Sequence, residues 1–143
     1  MNEGIQTVDA KAGALQTNEQ ELICLNQSLL ESVVSGDWLT YSSHCSQDLT
    51  CFEAETNGVL AEGLAFHQFY FELPPALDSP ASAIQVSMAR THIRWISQDA
   101  AVLSYTRLTQ KLVDGAAVTA SCCETRIWQR INGNWKHVHA HRS

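Results

Sequence analysis

Apolar residues recur at Leu22, Leu25, Leu29 and Val33, with Ile23, Leu30 and Val34 beside them. That spacing lays one apolar stripe along a helix, and Gly36 is a natural stop at its C-terminal end. Thr17 with Gln20 fits a capping box, in which a hydroxyl and an amide satisfy orphan backbone N–H groups, so the helix is predicted to begin at Thr17. A second, shorter helix is predicted from Asp37, carrying Trp38, Leu39 and Tyr41. Leu49 to Glu53 reads as a short strand, and Thr56-Asn57-Gly58 as a turn. The aromatic-rich run from Leu64 to Leu73 lies between Gly63 and Pro74-Pro75. It fits a buried helix or a strand, and the helix is the favoured assignment.

From Ile84 the period changes to two, which marks strands. Ile84, Val86 and Met88 share one parity and Ile93 and Trp95 take the other, so a bulge or bend is expected near Ala89–Thr91. Turns follow at Ser97-Gln98-Asp99, Asp114-Gly115 and Asn132-Gly133, the last two being strong hairpin signals. They separate strands over Ala101–Val113, Val118–Ile131 and Trp135–His141. Helices first and an antiparallel meander afterwards make an α+β domain with helices on one face of a curved sheet. Residues 1–16 are small and polar without a period and are expected to form a disordered tail. The folded domain is then 17–143.

Composition bounds this picture. The chain has 143 residues, 45% hydrophobic and 17% charged. That is one globular domain, large enough to fold without a metal or a disulfide. No apolar run approaches the ~20 residues of a membrane span, and no secretory leader is legible, so a cytoplasmic location is expected. The five cysteines include no CxxC pair, which argues against a zinc ribbon and for free thiols. Charge is uneven: twelve acids and Lys11 up to residue 89, then eight basic residues and three acids. The late basic residues stand singly among apolar ones, which disfavours nucleic acid as a partner.

Candidate chemistry is sparse. Strand alternation places Trp135, His137, His139 and His141 on one face. Neighbouring imidazoles can chelate a metal, but further ligands are scarce nearby, so neither a metal nor a cofactor is expected. Arg107 shares a face with Leu103 and Tyr105, and Arg142 shares parity with Val138 and Ala140. A guanidinium on an apolar face requires a partner: either a carboxylate such as Glu124 or an anionic ligand. His67, amid Phe66, Phe69 and Phe71, is the best single candidate for a general base. No GxSxG, P-loop or GxGxxG motif occurs.

Four stretches together resemble a known family: Phe66-His67-Gln68-Phe69-Tyr70-Phe71-Glu72, Tyr105-Thr106-Arg107-Leu108-Thr109-Gln110, Glu124-Thr125-Arg126-Ile127-Trp128 and Val138-His139-Ala140-His141-Arg142-Ser143. They are similar to the association, or hub, domain of calcium/calmodulin-dependent protein kinase II. Order and spacing agree over roughly residues 18–143, from Ser35-Gly36-Asp37 through Val59-Leu60-Ala61-Glu62-Gly63 to Asn132-Gly133-Asn134-Trp135. The resemblance implies the cone-shaped fold of the nuclear-transport-factor-2-like (SnoaL-like) superfamily, a long helix packed in a strongly curved antiparallel sheet. It implies dimers assembled into two stacked rings, commonly a dodecamer or tetradecamer, that act as a scaffold rather than an enzyme. It also implies a cavity binding small carboxylates, with His67, Arg107, Arg126 and Arg142 matching its positions and Tyr70 and Glu124 in the same motifs.

Departures from the family pattern are Gln68 in place of an arginine, Cys123 in place of a glutamate, Arg94 in place of a histidine, and the segment Leu73-Pro74-Pro75-Ala76-Leu77, which lacks an aromatic. They bear on subunit contacts, ring size and access to the cavity, not on the fold. No kinase motif or calmodulin-binding segment is present, and the short tail leads to the expectation of a free-standing hub-like protein. Its partners would be copies of itself, with kinase subunits or tail-docked peptides as further ones, and no membrane. The alternative is a small enzyme of the same superfamily, an isomerase or cyclase, using His67, Tyr70 and Glu124.

Overall fold

A computed structural model of the chain describes the backbone of residues 3–72 and 84–143, and the side chains of residues 18–69, 71–72 and 84–143. Three helices precede most of the sheet: α1 (Glu3–Ser35), α2 (Trp38–His44) and α3 (Leu64–Glu72). The strands are β1 (Cys45–Phe52), β2 (Ala61–Glu62), β3 (Ile84–Ser97), β4 (Ala100–Val113), β5 (Ala116–Ile131) and β6 (Asn134–Arg142). They form one six-stranded sheet in the order β2-β1-β6-β5-β4-β3.

One expectation is corrected here. The first helix runs from Glu3 instead of starting at Thr17. No proline interrupts the early segment, and Ala10, Lys11, Ala12, Ala14 and Leu15 all favour helix. Thr17 and Gln20 therefore lie within the helix and do not begin it. The four long strands β3–β6 form the expected antiparallel meander, and the short strand β1 joins it in parallel with β6.

The other signals act where the sequence places them. Gly36 ends α1 at φ 70°, and the Asp37 N–H donates back to the Ser32 carbonyl at 2.9 Å, a Schellman stop. Asp37 then caps α2, accepting from the Thr40 N–H at 3.2 Å. Both residues of Asp114-Gly115 and of Asn132-Gly133 have positive φ, as tight hairpin turns of the I′ type require. The β3–β4 register shifts between Ala89 and His92, and Arg90 takes φ 54°. This is the bulge expected from the parity change of the apolar residues.

The core forms where α1 lies in the curve of the sheet. Leu22, Leu29 and Leu30 are fully buried against Ala101, Leu103 and Trp128 of β4 and β5, with Leu49 and Cys51 of β1. Asn26, also fully buried, accepts the Trp128 indole N–H at 2.9 Å, and the Gln27 amide donates to the Val86 carbonyl at 2.8 Å. These polar ties fix the rotation of the helix, which apolar contact alone would leave loose. Leu29→Ala should cost about 2–5 kcal/mol through lost burial and a residual cavity. Urea unfolding monitored by tryptophan fluorescence measures it.

Candidate functional site

β4 and β5 pair so that Tyr105 lies opposite Glu124 and Leu103 opposite Arg126. Alternation along β5 turns Glu124, Arg126 and Trp128 to the concave face, where all three are buried. Arg107 follows Tyr105 on the same face of β4 and reaches the same carboxylate. Glu124 accepts from Tyr105 Oη at 2.6 Å, Arg107 Nη1 at 3.1 Å and Arg126 Nη2 at 3.2 Å. Arg126 also donates through Nε to Tyr105 Oη at 2.9 Å, and its Nη1 lies 3.3 Å from His137 Nε2.

Charge sets the protonation of this group. Burial pushes the Glu124 carboxyl upward, but Arg126, the Tyr105 hydroxyl and Arg107 more than offset this and hold it below the usual carboxylate range. Burial, against the partial relief of Arg126, raises Tyr105 to about 12. Burial and then Arg126 drive His137 well below the ordinary histidine value, so its ring is neutral.

Arg107 and Arg126 of this group line a cavity of about 160 Å³, together with Tyr41 of α2, His67 and Phe71 of α3, Glu53 and Glu55 after β1, and Ala140 and Arg142 of β6. Arg142 Nη2 donates to both oxygens of Glu55 at 2.7 and 2.6 Å. His67 Nε2 lies 3.3 Å from Glu53 Oε1. Burial opposes charge on the His67 ring, yet the Cys51 thiol and the Glu53 carboxylate beside it raise its pKa to about 9. The His67 ring beside it, against burial, in turn lowers Glu53.

The structure thus brings His67, Arg107, Glu124, Arg126 and Arg142 to one place. The Tyr70 side chain and residues 73–77 lie outside the described residues. The histidine face does not hold. The β5–β6 register shifts between Ile127 and Trp128, so that Ile127 pairs with His139 and Trp128 with His137. Val138 absorbs the extra residue. Trp135, His137, Ala140 and Arg142 consequently face inward, while His139 contacts Thr50 at 2.7 Å and His141 packs on Phe52, both on the other side. Arg142 accordingly keeps its parity with Ala140 and not with Val138.

Tyr41, Glu53 and Glu55 were not foreseen as cavity residues. Only Glu53 left a trace in the sequence, alternating with the apolar Leu49 and Cys51. As for the enzyme alternative, Glu124 is held ionised between two guanidinium groups, which is a poor setting for proton abstraction.

A curved sheet wrapped on a long helix, with a cavity at one end, defines the nuclear-transport-factor-2-like class. A protein of that class from Novosphingobium aromaticivorans shares the fold at a TM-score of 0.76 and 15% identity, over 95% of this chain and 87% of that one. The family is narrower. Residues 18–143 match the model of the calcium/calmodulin dependent protein kinase II association domain, and the chain belongs to that family. The delta subunit of calcium/calmodulin-dependent protein kinase type II from Oryctolagus cuniculus is 39% identical over 144 residues, 99% of this chain and 26% of that protein. The chain thus spans about a quarter of the length of that curated relative. The kinase hub homology domain from Chlamydomonas reinhardtii matches at a TM-score of 0.80 and 42% identity, over 88% of this chain and 97% of that one.

Glu124→Gln should leave two buried guanidinium groups without their countercharge and cost about 3–5 kcal/mol at pH 7. Because the Glu124 pKa is depressed in the folded state, its stabilisation is complete above the usual carboxylate range and is lost as pH falls through it. The gap between wild type and variant in urea unfolding should therefore narrow in acid.

Proposed function

We propose that the chain is a non-enzymatic, ring-forming oligomerisation scaffold whose cavity takes a small carboxylate. Membership of the association-domain family supports the scaffold. So do large apolar side chains exposed on the single chain, among them Leu39 (82%) and Ile96 (65%), which assembly would cover. The assembling unit is 17–143, with 1–16 outside it. Closed stacked rings of dimers, a dodecamer or larger, satisfy head-to-tail contacts without open ends. Kinase subunits and tail-docked peptides are the further partners, and the setting is cytoplasmic. Among the described residues no helix is long and apolar enough to cross a membrane.

One observation carries the ligand: Arg107 Nε is buried with no hydrogen-bond partner. A buried guanidinium donor aimed at a small cavity is unsatisfied without an acceptor, and a planar carboxylate suits it. The His67 ring, charged at neutral pH, adds to the attraction for an anion.

Native mass spectrometry at micromolar concentration should show a closed multi-subunit assembly, and a monomer would overturn the scaffold. In calorimetry, Arg126→Leu should weaken acetate or malonate binding by about 1–3 kcal/mol. Arg107→Gln, which keeps the Arg126–Glu124 pair, should weaken it similarly. Unchanged affinity in both variants refutes the ligand assignment.

A further inference from the structure

Cys51, Glu53 and His67 bring three kinds of metal-binding donor together at one wall of the cavity. A thiol sulfur, a carboxylate oxygen and an imidazole nitrogen lie within 4.8 Å of one another. Cys51 and Glu53 are two residues apart at the end of β1, where extended backbone turns both to one side. His67 descends onto them from α3. Cys51 is 1% exposed and His67 4%. A buried imidazole normally has its nitrogens hydrogen-bonded, yet neither ring nitrogen of His67 makes a hydrogen bond of good geometry. Glu53 sits at ion-pair distance without meeting the ring N–H in line.

We propose that Cys51, Glu53 and His67 form a site for a divalent cation of the zinc class. The donor set selects the ion. A thiolate with an imidazole suits a borderline-soft cation, whereas calcium and magnesium take oxygen ligands. Zinc bonds of about 2.0–2.3 Å in a tetrahedron place donors roughly 3.3–3.7 Å apart. His67 and Glu53 are already at 3.3 Å, and the Cys51 sulfur lies within 4.8 Å of both. Three protein ligands leave a fourth position open. Glu53 and His67 line the cavity, so that position faces it and accepts water or a carboxylate.

The arginines do not forbid the cation. Arg107 and Arg126 are matched by Glu124, and Arg142 by Glu55. Glu53 and the Cys51 thiolate remain to neutralise a double positive charge. Binding releases the thiol proton and any proton on His67 to solvent, so the ion takes the place of the imidazolium charge. The composition and the absence of CxxC spacing predict no metal, because these donors meet only through the packing of α3 on β1. The inference stands apart from the ring and carboxylate readings.

The test is titration of the chelator-treated full chain with Zn²⁺ by calorimetry and with Co²⁺ by absorption spectroscopy. One ion per chain is expected, and Co²⁺ should give thiolate-to-metal charge-transfer absorption in the near ultraviolet. Cys51→Ser and His67→Gln, checked for fold by circular dichroism, should weaken Zn²⁺ binding by at least about 100-fold, since loss of a direct ligand exceeds that of an outer-shell partner. Replacing Cys24, Cys122 and Cys123 together by Ala, or His139 and His141 together, should leave the Zn²⁺ affinity and the Co²⁺ band unchanged. No saturable binding by wild type, no charge-transfer band, or a band that survives Cys51→Ser and vanishes with the other cysteines overturns the proposal. The wild-type spectrum decides the matter even where a variant fails to fold.

Discussion

The cavity end of this fold is organised by one buried carboxylate. Glu124 is 2% exposed, and an ionised carboxyl at that depth is tolerable only with countercharge and hydrogen bonds around it. Tyr105, Arg107 and Arg126 supply them. Because Arg107 and Tyr105 are on β4 and Arg126 on β5, satisfying Glu124 locks the register of these two strands. Their pairing forms the concave wall on which α1 packs. Arg126 passes the constraint on to β6, since a guanidinium 3.3 Å from His137 requires a neutral ring.

The same accounting divides the cavity into two regions. On the sheet side each arginine has a carboxylate, Glu124 for two of them and Glu55 for Arg142. On the helix side His67 lies 3.3 Å from Glu53 and within 4.8 Å of the Cys51 sulfur, with neither ring nitrogen hydrogen-bonded. The unsatisfied donor at Arg107 Nε and the two unsatisfied nitrogens of His67 flank one space of about 160 Å³. Orphan polar atoms on both walls are what the proposed anion, toward the guanidinium groups, and the proposed cation, toward the thiol, would satisfy.

Much of this was legible in the residues. The helical stripe on α1, the Gly36 stop, the aromatic helix α3 and both Asx-Gly hairpins are local signals that depend on neighbours in sequence. Arg107 beside Tyr105 followed from parity, which left its partner open between a carboxylate such as Glu124 and an anionic ligand. The motif match brought His67, Arg126 and Arg142 to the same place. Parity failed on β6, where one extra residue at Val138 sends His137 inward and His139 and His141 outward. A bulge on β3 left a trace because apolar residues changed phase across it. The bulge on β6 left none, because histidines lie on both sides of it.

By itself the sequence determined the element types, the α+β class and the family, because each is written in local periodicity or in motifs of adjacent residues. Only the tertiary structure decided the parallel β1–β6 pairing, the split of the histidine strand, and the meeting of Cys51, Glu53 and His67. These depend on how β1 is laid against β6 and α3 across β1. Such contacts join residues far apart in the chain and leave no periodic mark, because the energy that selects them comes from packing between elements and not from the order of residues within one.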